Sequence, residues 1–219
     1  MLNSFGSFAF KREKGSYLPK QLGISNKETL AGLTFLKELY DQDLLPKEKV
    51  DLVKGFNNGT IASAVVDMET YKKLSENREL KLGITTVPKS KDDLIQNSFF
   101  SEEGWFLTDL SKHKKIALQF LEHISLDEHT SFYHETTGKI PPTHHLLSEG
   151  KNKDEFVTTI LRQTESGLPL PNIPEMRELE PTMDNAIRIT LQGFVDPKDA
   201  LKYANEDALH LIDSNHSNE

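Results

Sequence analysis

Two adjacent carboxylates, Glu102 and Glu103, are the first candidates for catalytic side chains in this sequence. They precede Gly104 and Trp105. A pair of carboxylates is what general acid and base catalysis of glycoside hydrolysis requires. Neighbouring residues on a strand point to opposite faces, so this pair does not form a ready catalytic dyad. The pattern favours a charged loop, and the sequence predicts no enzyme. The residue type of Trp105, the only tryptophan, favours a core position, and stacking on a ligand stays open as the alternative.

The histidines do not follow a metal-binding pattern. Of the 8 histidines, His129 and His134 lie five residues apart in a predicted helix and therefore do not share a face. His144 and His145 are adjacent and point apart, and no HExxH motif is present. The chain also lacks a glycine-rich phosphate loop and a GxSxG elbow. The sequence therefore predicts no metal and no cofactor.

Composition excludes several classes of site and partner. Cysteine is absent, which rules out disulfides, thiolate zinc sites and cysteine nucleophiles in this chain. The net charge of -8 argues against a nucleic-acid interface, which needs a basic face. With a mean hydropathy of -0.52, the 219 residues contain no apolar run near the roughly 20 residues that span a bilayer. The first residues, MLNSFGSFAFKREKG, lack the long apolar core of a signal peptide.

The elements that must position any site centre on residues 167–192 (GLPLPNIPEMRELEPTMDNAIRITLQ). The residues before Pro169 and Pro171 are held in extended geometry. A stripe of apolar residues at helical spacing follows, namely Met176, Leu179, Met183, Ile187 and Leu191. Pro181 interrupts it, so the helix either kinks there or restarts with Pro181 at its first position. A rigid arm before a helix start often carries binding groups, and a plain loop-to-helix connection is the alternative.

The rest of the chain mixes predicted strands with helices. Residues 61–66 (IASAVV) form an apolar run that is typical of a strand buried on both faces, and residues 80–87 (LKLGITTV) predict the next strand. A hairpin is predicted around Gly15. Helices are predicted to begin at Ser25, Pro46, Asp67, Ser111, Asp127, Asp154 and Asp196. This mixture predicts an α/β class with more helix than a complete doubly wound sheet contains.

The order of these elements resembles a known family. The pieces that carry the likeness are, in chain order, GLTFLKELYDQDLL, FNNGTIASAVVD, LKLGITTVP, EEGWFLT before SKHKKIALQFLEHI, TGKIPPT and LPLPNIPEM. Together they resemble the extracellular solute-binding proteins of ABC importers, and most of all the maltose/maltodextrin-binding branch. The resemblance covers essentially the whole chain, but only the C-terminal portion of the family's usual length.

This resemblance implies a periplasmic-binding-protein-like (type II) α/β fold with two lobes. Residues 1–88 would belong to the second lobe, residues 89–127 would return to the first lobe, and residues 128–219 would lie in the second lobe again. The opening strands of the first lobe and the export signal would precede Met1. We therefore expect a truncated, helix-rich and incomplete fold, whose uncovered edges would lead to oligomers, strand exchange or modest stability.

The resemblance also implies ligand contacts. In the maltodextrin branch, the loop after the IASAVV-like strand and the helix start after NIPEM each supply an aromatic platform for sugar. The corresponding positions here hold Glu69 and Glu180, so the stacking energy, about 0.5–1.5 kcal/mol per ring beyond burial, is missing. The predicted ligand-binding residues are Glu69, Tyr71, Glu103, Trp105, Glu180 and Asp184.

The function implied by the resemblance is the substrate-binding component of an ABC importer, which holds a sugar or oligosaccharide in an interlobe cleft without chemistry. Its partners would be the solute and the permease subunits, with no nucleic acid. The full-length protein would work at the extracellular or periplasmic side of the cell membrane. Because acids replace rings at both platform positions, two alternatives stay open: a cationic or polyol solute, or an interaction or scaffold protein that kept the fold and lost the pocket.

Overall fold

The computed structural model describes residues 2–88, 90, 98–101, 104–137, 139–140, 155–165 and 167–216. The chain divides into two compact units. Unit 1 comprises Met1–Lys49, Val87–Ser101 and Gln163–Glu219, and unit 2 comprises Val50–Thr86 and Glu102–Arg162. The assignment of chain segments to two lobes stays a prediction.

Unit 1 opens with a short 3-10 helix, Leu2–Phe5, and the predicted hairpin. Strand β1 (Phe10–Glu13) pairs antiparallel with β2 (Ser16–Leu22). The turn between them places Lys14 at φ 49° and Gly15 at φ 88°. Two successive positive φ values suit the right-handed twist of a tight hairpin, and glycine adopts them at no steric cost.

Helix α1 (Lys27–Asp41) follows the hairpin, and Asn26 caps it. The Asn26 side-chain oxygen accepts the backbone N–H of Thr29 at 2.7 Å, so the prediction that Ser25 is the cap was wrong by one residue. Thr29 is fully buried; its hydroxyl donates to the Gly23 carbonyl at 2.9 Å and lies 2.6 Å from the Ser7 hydroxyl. These bonds satisfy two buried hydroxyl groups and connect the start of α1 to the chain on both sides of the hairpin.

Unit 1 ends with the two longest described helices, which pack on each other. These helices are α7 (Met176–Leu191) and α8 (Pro197–His216), the last two in the chain. The Asp196 side chain accepts the Lys198 N–H at 2.9 Å, which confirms Asp196 as the predicted cap. The core of the unit is formed mainly by small and aliphatic residues, namely Ala9, Phe10, Ile24, Leu179, Ala186, Ala200, Ala204, Ala208 and Ile212. The alanines let the helix backbones approach closely.

The stretch over residues 167–192 has the predicted extended start and helical continuation. Strand β4 (Leu168–Pro169) pairs in parallel with β3 (Phe99–Phe100). Helix α7 then runs through Pro181 without interruption, so the alternative of a restart at Pro181 was wrong. Thr182 donates its hydroxyl to the Leu179 carbonyl at 2.8 Å, which supplies a partner to one carbonyl in the turn that contains the proline.

Unit 2 is built mostly of shorter helices. They are α2 (Leu52–Asn57), α3 (Met68–Ser75), α4 (Lys114–Ile124), α5 (Asp127–Thr137) and α6 (Glu155–Glu165), the last of which extends into unit 1. Among the buried apolar residues, Leu74 and Val157 belong to this unit. No helix among the described residues is both long enough and apolar enough to cross a bilayer.

Two further helix starts differ from the prediction. The helix expected from Pro46 begins at Leu52, where the Asp51 side chain accepts the Lys54 N–H at 3.0 Å. Residues 47–51 (KEKVD) contain a single apolar side chain, so they have no face to bury. The helix expected from Ser111 begins at Lys114, because the Ser111 hydroxyl accepts the His113 N–H in a turn before the helix.

The predicted strands over residues 61–66 and 80–87 are absent from the described structure. Residues 62–65 are exposed, which also overturns the expectation of burial on both faces. The backbones of residues 62–66 and 83–86 make no hydrogen bond to another described residue. An apolar run becomes a strand only when a neighbouring strand pairs with its N–H and C=O groups, and the described part of unit 2 contributes no such neighbour.

Candidate functional site

Helix α3 presents Glu69 and Tyr71, two of the predicted ligand-binding residues. The Asp67 side chain caps the helix and accepts the Thr70 N–H at 2.8 Å. The hydrogen bonds from Thr70 hold the pKa of Asp67 below its usual 3.8. Glu69 forms an exposed ion pair with Lys73 one turn later, at 2.6 Å between Oε1 and Nζ. The Glu69 carboxylate also raises the pKa of Lys73 above 10.5.

The Tyr71 ring stacks on Phe156 of α6. The ring centroids lie 4.3 Å apart and the ring planes differ by only 6°. One face of Tyr71 is therefore covered, and this half-buried side chain has a structural contact that the sequence did not reveal. The face of Tyr71 that contacts Phe156 is not accessible to a ligand.

Trp105 lies on the surface of unit 2, where 68% of the residue is exposed. The prediction of a core position was wrong. Residues 104–107 belong to no helix or strand and their backbone makes no hydrogen bond to another described residue, so no packed layer among the described residues holds the indole. Glu103, predicted as a ligand contact, and its neighbour Glu102 lie outside the described residues.

Glu180 and Asp184 lie one turn apart on α7, and both are exposed. Asp184 lines a cavity of about 290 Å³ between α7 and the end of α1. The other residues of this cavity, which we call the α1–α7 cavity, are Tyr40, Pro46, Lys47, Ile187, Arg188, Leu191 and Gln192. Its volume is at the lower end of what small-molecule sites occupy, and it is a shallow depression open to solvent rather than an enclosed pocket.

The charged groups of the α1–α7 cavity differ in how many protein partners they contact. Lys47 lies 3.8 Å from the centre of the Tyr40 ring and pairs with Asp43. Arg188 donates to Asn185 at 2.6 Å and to Gln192 at 3.4 Å. The Asp184 carboxylate makes no hydrogen bond or ion pair to any described residue. It is therefore the acceptor in this cavity that a ligand hydroxyl could use without displacing a protein partner.

The cavity contains groups for binding rather than for catalysis. A carboxylate, a guanidinium and an amide bind hydroxyl groups by hydrogen bonds, and the apolar side chains of Ile187 and Leu191 contact C–H groups. The lining has no nucleophile beside a histidine base. Sequence reasoning found Asp184 but missed Tyr40, Lys47, Arg188 and Gln192. Spacing along α7 could have found Arg188, which is four residues after Asp184.

The described residues contain no group of three or more histidine, aspartate and glutamate side chains that could hold a metal ion. His123 and His129, whose ring centroids lie 4.4 Å apart, are the histidine pair in contact within unit 2. Glu69, Tyr71 and Trp105 belong to unit 2, while Glu180 and Asp184 belong to unit 1. The described residues among the predicted contacts thus divide between the two units: Glu69 and Tyr71 on α3 with Trp105 before α4, and Glu180 with Asp184 on α7.

Comparison with known proteins identifies what this chain is similar to. It is 25% identical to the galactooligosaccharide-binding protein of Bacillus subtilis, over 99% of this chain and 53% of that protein. It is 26% identical to a maltooligosaccharide ABC transporter solute-binding lipoprotein of Streptococcus pneumoniae, over 88% of this chain and 46% of that protein. The maltodextrin-binding protein MdxE of Bacillus subtilis matches at 22% identity over 98% of this chain.

The fold is shared with a solved structure, that of a cyclo/maltodextrin-binding protein complexed with maltotetraose. The TM-score is 0.84 at 24% sequence identity, and the match covers 96% of this chain and 55% of that chain. The architecture is therefore a helix-rich part of the periplasmic-binding-protein-like fold that the sequence predicted. The chain spans about half the length of the curated relatives it matches.

A family profile described as "Bacterial extracellular solute-binding protein" matches residues 3–158, which is more than half of the chain. Its members bind solutes and are not enzymes, in agreement with the prediction of no catalysis. On this match and on the shared fold, the chain belongs to the family of bacterial extracellular solute-binding proteins.

Proposed function

We propose that this chain is part of the substrate-binding component of an ABC importer for oligosaccharides. The observation that carries the proposal is the match to a galactooligosaccharide-binding protein along 99% of the chain. The names of the other relatives, which specify maltooligosaccharide and maltodextrin, support the same class of ligand. The relatives give no support to a scaffold that has lost its ligand.

In this proposal the protein binds solute on the outer side of the cell membrane and delivers it to permease subunits. The ligand stabilises a closed conformation by binding it more tightly than the open one, and no covalent step occurs. The six predicted residues, Glu69, Tyr71, Glu103, Trp105, Glu180 and Asp184, are the proposed contacts. Carboxylates at the two platform positions would accept hydrogen bonds from sugar hydroxyls in place of stacking.

Asp184 is the contact that the geometry supports best. Its carboxylate is exposed at a cavity, has no partner among the described residues, and lies beside the Arg188 guanidinium and the Gln192 amide. Such a mixture of one free acceptor and several donors suits the alternating donor and acceptor pattern of vicinal hydroxyls. Glu180, one turn earlier on the same helix, would extend this acidic face along an oligomeric ligand.

The test is calorimetric titration of the full-length gene product with galactooligosaccharides and maltooligosaccharides, alongside the fluorescence of Trp105. We expect binding of at least one series. Asp184→Asn should weaken it by at least about tenfold, because a hydrogen bond to a charged group contributes about 1.5–3 kcal/mol. Asp207→Asn, which changes an exposed acid on α8 away from the cavity, is the matched control. Absence of heat and of any fluorescence change with every sugar would reject the oligosaccharide assignment.

A second titration tests the two platform positions. Glu180→Trp should tighten binding of a maltooligosaccharide about three- to tenfold, because a ring restores stacking of about 0.5–1.5 kcal/mol. Glu180→Gln removes the charge without adding a ring and serves as the control. The same pair of substitutions at Glu69 also breaks the Glu69–Lys73 ion pair, so Glu180 is the cleaner position.

A further inference from the structure

Two histidine side chains meet where helix α4 ends and α5 begins. The rings of His123 and His129 have centroids 4.4 Å apart and planes inclined by 56°. Both backbones bond to Leu126 in the connecting turn. The His123 carbonyl accepts the Leu126 N–H at 3.1 Å, and the His129 N–H donates to the Leu126 carbonyl at 3.0 Å. The turn therefore holds the two backbones that carry the rings, and it brings the rings together before any ligand binds.

The Nε2 atom of His129 is buried and has no hydrogen-bond partner among the described residues. The Glu128 carboxylate lies 3.5 Å from it, which is beyond the usual length of such a bond. The exposed His123 ring also makes no hydrogen bond to a described residue. Buried polar atoms are nearly always paired, so Nε2 of His129 needs a partner. A ring nitrogen without a proton has a lone pair that binds metal ions.

We propose that His123 and His129 bind one divalent transition-metal ion through their ring nitrogens. Two imidazoles that bind an ion at about 2.0–2.1 Å have ring centres about 4.5 Å apart at a right angle, and about 5.2 Å apart at a tetrahedral angle. The observed separation of 4.4 Å is close to the first value. The geometry therefore favours Cu²⁺ or Ni²⁺, which bind nitrogen ligands at right angles, over tetrahedral Zn²⁺.

The charges near the pair suit a cation. Glu122 precedes His123, and Asp127 and Glu128 lie in the first turn of α5. His123 lies in the last turn of α4, at the negative end of the helix dipole. The start of α5 carries the opposite partial charge, which the two carboxylates of its first turn offset. These carboxylates raise the local concentration of cations without having to bind the ion themselves.

The proposed site has two protein ligands, and water completes the coordination. This agrees with the absence, among the described residues, of any group of three or more histidine, aspartate and glutamate side chains that could hold a metal. An ion bound to both rings connects the end of α4 to α5, in a part of unit 2 where α4 buries no residue. Since the turn positions both ligands only in the folded chain, the ion should stabilise the folded state. None of the six proposed sugar contacts belongs to this site.

Copper titration followed by NMR tests the proposal on this chain, produced without a histidine tag. Paramagnetic Cu²⁺ broadens the signals of nuclei close to it. We expect the ring signals of His123 and His129 to broaden at the lowest Cu²⁺ concentrations, before those of His113 and His210. Broadening that begins at any other histidine, or that affects all histidines equally, overturns the proposal. Because this measurement uses the unaltered chain, it does not depend on the folding of a variant.

Calorimetric titration with Ni²⁺ then measures the contribution of each ring. His123→Ala and His129→Ala should each weaken binding at least tenfold, because one remaining imidazole cannot chelate the ion. His113→Ala removes an exposed histidine at the start of the same helix and is the matched control, which should leave the affinity unchanged. Equal affinity for Ni²⁺ in His123→Ala and in the original chain would show that the pair is not the binding site.

Discussion

At the scale of single residues, Gly23 and Gly83 differ in how closely other atoms surround them, so the same substitution at both positions can be compared. A Cβ added to Gly23 would lie 2.4 Å from the Phe8 carbonyl oxygen, a backbone atom that cannot move aside cheaply. A Cβ added to Gly83 would meet no atom within 4 Å. We predict that Gly23→Ala lowers the free energy of unfolding by about 1–3 kcal/mol, as overpacking does. Gly83→Ala should be neutral or stabilising by about 0.4–1 kcal/mol, through the unfolded chain.

Urea unfolding followed by circular dichroism measures both effects. Gly83→Ala is the control for the general effect of adding a methyl group to a glycine. Equal midpoints for the two variants would contradict the close approach of Gly23 to Phe8, which brings the end of the hairpin beside the chain that enters it.

The second prediction at this scale concerns pH and Asp67. Hydrogen bonds from Thr70 lower the pKa of Asp67 in the folded chain, so the folded state favours the ionised form more than the unfolded state does. Its stabilising contribution is therefore complete above the unfolded pKa, near 3.8, and is lost as pH falls through the lower folded value. A carboxyl-detected NMR titration should find the Asp67 pKa below 3.8.

Asp67→Asn is the matched control, because asparagine also caps helices but does not titrate. The variant should keep α3 while losing this part of the acid dependence of stability. A folded-state pKa for Asp67 at or above its usual value would show that the Thr70 N–H does not hold the carboxylate.

The residues of the candidate site show what a sequence can and cannot reveal. Asp184 was identified through the likeness to a family, and it lies at a cavity. Tyr40 and Lys47, which line the same cavity, are more than 130 residues away along the chain, and no local pattern connects them to α7. Trp105 was misplaced because burial depends on what packs over a segment, and residue type alone does not specify that.

At the scale of elements, the Tyr71–Phe156 stack connects α3 to α6. We predict that a double-mutant cycle with Tyr71→Ala and Phe156→Ala gives a coupling energy of about 0.5–1.5 kcal/mol, the usual worth of an aromatic pair beyond burial. Urea unfolding of the four proteins provides the measurement. Phe132→Ala, an exposed aromatic on α5, is the control and should show no coupling to Tyr71→Ala. Additive effects of the two substitutions would contradict a stabilising contact between the Tyr71 and Phe156 rings.

Helices were predicted from the sequence more reliably than strands, for a physical reason. The start of α8 at Pro197 and the ends of α1 and α2 follow from caps and periodicity within a few residues. The run IASAVV has the composition of a buried strand, yet a strand also needs a neighbour that the run itself does not specify. Helix α2 was expected to begin at Pro46, but Asp51 caps it. Where two nearby residues could each begin a helix, the helix forms where its apolar residues have a face to bury.

At the scale of the whole molecule, the two units differ in how much apolar side chain they bury. The cluster that contains Phe10, Leu179 and Ile212 lies in unit 1, whereas Leu74 and Val157 are the large buried aliphatic residues described in unit 2. Regions with few buried apolar contacts open locally at low free-energy cost. We therefore expect the two units to differ in local stability rather than to unfold as one body.

Hydrogen exchange followed by mass spectrometry tests this expectation in one experiment. Amides in α7 and α8 should exchange at least about tenfold more slowly than those in α3 and α4, after correction for intrinsic rates, which corresponds to about 1.4 kcal/mol of additional opening free energy. The two helix pairs lie in the same chain and so control each other for protein concentration and solvent. Because α4 has no buried residue, burial contributes little to the protection of its amides. Equal protection of α4 and α8 would contradict the expected difference in local stability between the two units.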